Sequence, residues 1–189
     1  MTALADRIVP GEETTAGYLL RVSRPRFWLY LAGPVVVGVA YAAESPAELF
    51  SPLAVALFAY FLVPANVFLF GVNDIFDADI DTEYPKKTDQ EVRYRGDRTV
   101  PSLVTLTGLL GAAFLPFLPA AAAITMVGFL LLSVEYSAPP FRFKTIPLFD
   151  SISNGLYLLP GVITYAAIAG GVPPVGAIAG GWMWTMGMH

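Results

Sequence analysis

Residues 51–72 contain no charged side chain, and four carboxylates follow within the next nine residues. A run of this length and polarity is long enough to cross a bilayer as a helix, which takes about 20 mainly apolar residues. Further apolar runs recur along the chain between charged or proline-rich turns. Charged residues make up only 14% of the sequence, against about 25% in soluble domains. The pattern predicts an all-α polytopic membrane bundle.

Six membrane spans are predicted, with residues 1–26 as a segment before them and residues 27–189 as one membrane-embedded domain. Pro34, Pro64 and Pro160 fall inside predicted spans, where neighbouring helices can satisfy the backbone groups that a proline frees. The spans are placed at residues 27–43, 51–72, 102–117, 120–134, 146–170 and 175–188.

The basic residues predict the orientation of these spans. All 11 lysines and arginines lie before the first span, between the second and third, or between the fourth and fifth. The positive-inside rule therefore places the N-terminus and these two loops in the cytoplasm, with the chain in the cell membrane. The absence of cysteine excludes disulfides and thiolate catalysis. A net charge of −4 argues against a nucleic-acid partner.

The acidic segment after the second span is expected to continue as a helix. With about 100° between successive residues, one stripe of that helix carries Asn73, Asp74, Asp77 and Asp81. Asn66 falls on the same face two turns earlier, whereas Asp79 points to the opposite side. Crowded carboxylates repel one another, and Mg²⁺ held by carboxylate and amide oxygens relieves that repulsion. A solvated acidic turn that ends a helix is the alternative interpretation.

Basic residues follow the acidic stripe and recur in the next cytoplasmic loop. Lys87 lies in the first loop, and Arg142 and Lys144 lie in the second, where they alternate with Phe141 and Phe143. An extended segment would put both cations on one side and both rings on the other. Carboxylates that hold a metal, with cations beside them, suit a diphosphate. The alternative is a purely topological role for these cations, with an aromatic belt at the interface.

Polar side chains also follow the second basic loop. Tyr136 can donate its hydroxyl to a phosphate. Asp150 and Asn154 are one turn apart at the start of the fifth span, where polar groups usually face a cavity or a neighbouring helix. Hydrogen bonding between helices is the simpler explanation for them.

Taken together, these segments resemble the UbiA superfamily of intramembrane prenyltransferases. The similarity rests on Asn73-Asp74-x-x-Asp77-x-x-x-Asp81 after the second span, on Arg24-Pro25 before the first, and on the loop from Tyr136 to Lys144 with its Tyr-Ser-x-Pro-Pro sequence. Within the superfamily, parts of spans 1, 2 and 6 are most similar to the archaeal lycopene elongases of bacterioruberin biosynthesis.

The resemblance implies a Mg²⁺-dependent transfer of an isoprenoid group from an allylic polyprenyl diphosphate to a hydrophobic acceptor. The similarity to the lycopene elongases implies that this acceptor is lycopene. It implies that Asp74 and Asp77 are catalytic and that Mg²⁺ is held by Asn73, Asp74, Asp77 and Asp81. The residues expected to bind the diphosphate are Arg24, Lys87, Tyr136, Arg142 and Lys144. Candidates for the surrounding pocket are Asn66, Asp150, Asn154, Phe68, Phe70 and Trp28.

The superfamily has nine helices and a second aspartate motif after the sixth, and neither is complete in this sequence. The chain is therefore expected to be a C-terminally truncated fragment. Two alternatives remain open from sequence. One is a related prenyltransferase that acts on a quinone-precursor aromatic acid or a glycerol-phosphate lipid. The other is a membrane cation transporter with the aspartates as an ion site.

Overall fold

The computed structural model describes residues 14–81, 94 and 96–187, without the side chains of residues 15, 16 and 79–81. All regular elements of the described part are helices, so the all-α prediction is confirmed. Its α-helices are α1 (Thr15–Val22), α2 (Trp28–Ala42), α3 (Pro46–Leu49), α4 (Pro52–Leu62), α5 (Pro64–Asp81), α6 (Thr99–Ala112), α7 (Ala120–Glu135), α8 (Phe149–Ser153), α9 (Leu159–Ala169) and α10 (Val175–Met186). Short 3-10 turns cover Pro25–Phe27, Leu115–Phe117, Phe143–Thr145 and Asn154–Tyr157.

Helices long and apolar enough to cross a membrane are fewer than the six predicted spans. Within the described residues, two stretches meet both conditions: Pro46–Ala78, which contains α3, α4 and most of α5, and Thr99–Phe117. Phe149–Tyr157 with Leu159–Ala169 forms a third candidate, bent by 40°. Helix α7 is apolar but shorter. The count of six is therefore not confirmed, and it stays a prediction.

A proline explains why the second predicted span is two helices. Pro64 begins α5 directly after Val63 and, lacking an N–H, cannot continue the hydrogen-bond ladder of α4. The side chain of Asn66 satisfies two carbonyl groups at this break, since its Nδ2 donates to Phe61 O at 2.9 Å and to Leu62 O at 3.0 Å. Asn66 is fully buried there. Its amide therefore caps α4, and its role as a pocket residue stays a prediction.

Helices α2 and α9 cross at very close range. A Cβ on Gly38 would lie 2.3 Å from Gly161 O, and a Cβ on Gly161 would lie 2.8 Å from Pro34 O. Small residues let membrane helices approach in this way and gain van der Waals contact. The main core lies around this crossing and includes the buried side chains of Leu31, Val35, Phe61, Phe129 and Ile163.

Helix α5 packs along α6 through a second pair of glycines. Cβ atoms on Gly71 and Gly108 would overlap the side chains of Val104 and Phe68, respectively. Phe68 lies in a second buried cluster with Tyr18 and other apolar side chains. This packing fixes the direction of α5, so its polar C-terminal end meets the loop between α7 and α8.

Candidate functional site

The polar end of α5 forms one side of the site. The helix runs without a break to Asp81, so the helical geometry predicted for the acidic segment is confirmed. Asp74 is buried, and Asn73 and Asp77 are partly buried. The α7–α8 loop (residues 136–148) and the turn at Arg24, between α1 and α2, supply the other sides.

Asp77 is the meeting point of two cations from the α7–α8 loop. Arg142 Nη2 donates to Asp77 Oδ1 at 3.1 Å, and Lys144 Nζ donates to the same oxygen. Lys144 Nζ also donates to Asn73 Oδ1 at 3.1 Å. The structure therefore brings together Asn73, Asp77, Arg142 and Lys144, as the sequence predicted.

The backbone that delivers these cations is not extended. Arg142 has a φ of 48°, and a 3-10 turn follows it over Phe143–Thr145. The extended segment considered from sequence is therefore wrong, because the chain turns at the residue where alternation was expected to continue. The rings of this segment pack on one another, since the Phe143 ring stacks between Phe141 at 5.5 Å and Phe149 at 5.8 Å.

Asp74 has a different partner. Arg24 Nη2 donates to Asp74 Oδ1 at 2.8 Å, and the Asp74 side chain is only 4% exposed. The guanidinium of Arg24 also lies over the ring of Phe70, 4.7 Å from its centroid. A planar cation that pairs with a carboxylate and stacks on a ring is held in one orientation. Arg24 therefore ties the start of the bundle to α5.

Tyr136 connects the loop to α8. Its hydroxyl donates to Asp150 Oδ1 at 3.1 Å, and Asn154 Nδ2 donates to Asp150 O at 3.2 Å. Burial, followed by the nearby Asp150 carboxylate, raises the pKa of Tyr136 well above its usual value. The phenol therefore stays protonated and remains a hydrogen-bond donor at ordinary pH.

A cavity of about 230 Å³ lies beside these groups. Five of the predicted site residues line it: Arg24, Phe70, Asn73, Tyr136 and Asn154. The sequence analysis missed the apolar and aromatic part of the lining, which consists of Phe27, Leu69, Leu156 and Tyr157. Phe27 follows Arg24 by three residues and Tyr157 follows Asn154 by three, so helical spacing from the predicted polar residues is the signal that could have found them.

A larger groove of about 700 Å³ lies against α2, α9 and α10. Tyr157 lines both this groove and the smaller cavity. Aromatic rings follow the same route, because Tyr30 lies 5.3 Å from Phe27 and 6.1 Å from Tyr157 between centroids. The cavity with polar lining and the apolar groove are therefore neighbours, with Tyr157 between them.

The oxygen atoms of the site suit Mg²⁺. Asn73 Oδ1 and Asp77 Oδ1 converge on one cationic group, the Lys144 ammonium, and Mg²⁺ is typically held by one or two carboxylates plus substrate phosphates. No group of three or more acidic, histidine or cysteine side chains occurs within the described ranges. The predicted ligand Asp81 has its side chain outside the described residues, and the predicted diphosphate ligand Lys87 lies wholly outside them.

Two other predicted residues contact neighbouring residues outside the cavity, and a further site residue was missed. Trp28 Nε1 donates to Ser23 Oγ at 2.9 Å, and Phe68 packs against Gly108. Neither of them lines the two cavities described above. Ser137 Oγ donates to Asn73 Oδ1 at 2.9 Å, so it orients a proposed metal ligand. The Tyr-Ser-x-Pro-Pro sequence contains this serine but gave no reason to assign it a contact.

Comparison with known proteins adds to this geometry. The profile of the UbiA prenyltransferase family matches residues 31–189. The chain is 63% identical over 183 residues to a lycopene elongase/hydratase of Haloarcula japonica and 60% identical over 186 residues to one of Haloferax volcanii. The two alignments cover 96% and 98% of this chain, but only 62% and 59% of the two relatives. The chain thus spans about three fifths of the length of these curated proteins.

Solved structures share the fold. A UbiA homolog from Archaeoglobus fulgidus bound to DMAPP and Mg²⁺ matches with a TM-score of 0.72 at 23% identity, over 90% of this chain and 60% of that one. The same homolog bound to GPP and Mg²⁺ matches with a TM-score of 0.68.

Proposed function

The chain belongs to the UbiA prenyltransferase family, and on this basis we propose that it transfers an isoprenyl group from an allylic diphosphate to lycopene with Mg²⁺ as cofactor. One observation carries the proposal. Carboxylate and amide oxygens of α5 meet Arg142 and Lys144 from a loop 65 or more residues later, beside a cavity that shares Tyr157 with an apolar groove. That arrangement suits a ligand with an anionic head and a hydrocarbon tail.

The cations and hydroxyl around the cavity are proposed to bind the diphosphate. Arg142 and Lys144 can each turn a donor from Asp77 to a phosphate oxygen, and charge-assisted bonds of this kind are strong. Arg142 Nε is buried without a hydrogen-bond partner, so it is a further donor for the same anion. Bound Mg²⁺ would withdraw charge from the diphosphate and make it a better leaving group.

The aromatic side chains are proposed to protect the reacting carbon. When the carbon–oxygen bond breaks, the electron pair leaves with the diphosphate and an allylic cation remains. Phe27, Phe70 and Tyr157 surround the cavity, where they exclude water and can stabilise a cation over their faces. A double bond of the acceptor then supplies two electrons to form the new carbon–carbon bond. The resulting tertiary cation is quenched by water, which gives up a proton, or loses a proton itself.

The groove supports a hydrocarbon acceptor. Its lining residues are apolar or aromatic apart from Arg26, whose guanidinium lies 4.6 Å from the Phe27 ring centroid. Lycopene needs no cation of its own, whereas an aromatic acid acceptor would have to use Arg26, because an unpaired buried carboxylate is costly. The names of the two haloarchaeal relatives support lycopene.

The acceptor is tested with the full-length protein in membranes supplied with lycopene, dimethylallyl diphosphate and Mg²⁺. We expect longer, hydroxylated or unsaturated carotenoids by mass spectrometry, and none without the diphosphate. Deletion of the gene should accumulate lycopene and remove the C45 and C50 carotenoids, the latter being the product class named for a more distant relative. Unchanged carotenoids with lost quinones or altered ether lipids would refute the acceptor.

The orientation is a separate proposal. The three basic segments favour a cytoplasmic N-terminus and cytoplasmic site loops. Cysteines introduced at Ala47 and Gly171 should be labelled from outside intact cells by a membrane-impermeant maleimide, and a cysteine at Asp89 should not. External labelling at Asp89 alone would invert the topology.

A further inference from the structure

Lys144 contacts the same two oxygens that are assigned to the metal, and we propose that its ammonium group keeps these oxygens from holding a divalent cation until a diphosphate binds. The inference rests on the proposed function and deepens it. Lys144 Nζ bonds both Asn73 Oδ1 and Asp77 Oδ1. An ammonium group and a metal ion require the same lone pairs, so they cannot use these oxygens together.

Asp77 Oδ1 is already fully used. It accepts from Lys144 and from Arg142, and a carboxylate oxygen offers two lone pairs. A divalent cation at the other oxygen of Asp77 would lie close to two positive groups. The Asp77 side chain is only 17% exposed, so water screens this repulsion only in part.

The other ion-paired carboxylate, Asp74, is no better placed to bind a divalent cation alone. Asp74 is nearly buried and is paired with Arg24 at 2.8 Å. The two ion-paired carboxylates, Asp74 and Asp77, thus face three cationic side chains. A metal ion that enters alone adds positive charge where the carboxylates already have partners, and its affinity is expected to be low.

A diphosphate reverses this balance, because it brings several negative charges and new acceptor oxygens. Lys144 has a flexible stem, and its backbone N–H is held by Tyr136 O at 3.1 Å, so the stem can move while the loop stays in place. Ser137 keeps its bond to Asn73 Oδ1 and holds that oxygen in position. When Lys144 turns to a phosphate oxygen, it frees Asn73 and Asp77. Metal and diphosphate must then raise each other's affinity by the same factor.

Manganese provides the direct test, because electron paramagnetic resonance detects the free ion. The full-length protein in detergent is titrated with Mn²⁺ alone as wild type, Lys144→Met, Lys144→Gln and Arg98→Gln. Arg98 is exposed before α6 and donates none of the hydrogen bonds described for Asn73 and Asp77, so its variant removes the same charge without removing a donor to those oxygens. We expect Lys144→Met to bind Mn²⁺ about tenfold more tightly than wild type, a typical coupling, with Lys144→Gln close behind. Arg98→Gln should match wild type.

The second arm adds inorganic pyrophosphate in equilibrium dialysis, with equal free Mn²⁺ on both sides of the membrane. In wild type, pyrophosphate should raise Mn²⁺ affinity at least about tenfold, and in Lys144→Met the increase should be much smaller. Wild type that binds Mn²⁺ equally well with and without pyrophosphate would overturn the inference, even if the variants fail to fold, and would leave the proposed function standing. Absence of Mn²⁺ binding in both conditions would remove the proposed function as well.

Discussion

The polar cluster at the end of α5 and the crossing of α2 with α9 are held together by different forces. The cluster joins side chains 50 to 71 residues apart through charge-assisted hydrogen bonds. The crossing depends on close backbone approach at Gly38 and Gly161. Charged partners can separate and take up a new ligand, whereas a close-packed crossing cannot move without losing its contacts. The bundle therefore provides a rigid support for groups that change partners.

The largest effect is expected when the cluster loses Asp77. Asp77→Ala removes the acceptor of Arg142 and Lys144 and one proposed metal ligand, so prenyl transfer should fall about a hundredfold or more. Asp79→Ala is the matched control, since helical spacing places Asp79 on the opposite face, and it should retain nearly full activity. Transfer rates of both variants, measured with purified protein, check the prediction. Equal losses would mean that the acidic stripe does not define the site.

An added methyl group at the crossing of α2 and α9 should lower the stability of the protein. Gly38→Ala puts a Cβ 2.3 Å from Gly161 O, so the helices must separate, at a cost of about 1–3 kcal/mol. Gly33→Ala in the same helix meets no atom within 4 Å and should change stability little. Thermal unfolding in detergent measures both. A similar unfolding temperature for the two variants would show that the crossing is not tightly packed.

The smallest effect is expected at an uncharged donor of the site, the Tyr136 hydroxyl. Tyr136→Phe removes one hydrogen bond from an uncharged donor to the Asp150 carboxylate and should cost about 1.5 kcal/mol, or about tenfold in transfer rate. Because burial raises the pKa of Tyr136, its phenol stays neutral up to and beyond its usual pKa of about 10. The wild-type pH–rate profile should therefore show no loss from tyrosine ionisation as the pH rises to 9. A wild-type decline near pH 8 that disappears in Tyr136→Phe would contradict this assignment.

Much of the cluster could be predicted from sequence, because charge in an apolar chain is conspicuous. Asn73 and Asp77 follow a predicted span with the spacing of one helical face, and Arg142 and Lys144 are the two basic residues of the next charged loop. The hydrogen-bond partners of these side chains were harder to predict. Sequence did not indicate that Arg24 pairs with Asp74 or that Ser137 donates to Asn73, since both bonds depend on how separate helices pack.

The crossing was much harder to predict. Gly38 and Gly161 lie in apolar runs where several other glycines meet no neighbour, so their importance comes from the partner helix. Asn66 has a contact that the sequence did not indicate. Its position on the acidic face suggested a pocket residue, and that role stays a prediction. The break at Pro64 leaves carbonyl groups that its amide satisfies, a local requirement that the helical pattern does not reveal.

Calorimetry of the full-length protein with an allylic polyprenyl diphosphate, in Mg²⁺ and in EDTA, tests the central claim most directly. Geranylgeranyl and dimethylallyl diphosphates serve as long and short ligands. If Asn73 and Asp77 hold Mg²⁺ against the diphosphate, binding should be strong with Mg²⁺ and weak or absent with EDTA. Equal binding in the two conditions would contradict a metal-dependent diphosphate site at the end of α5.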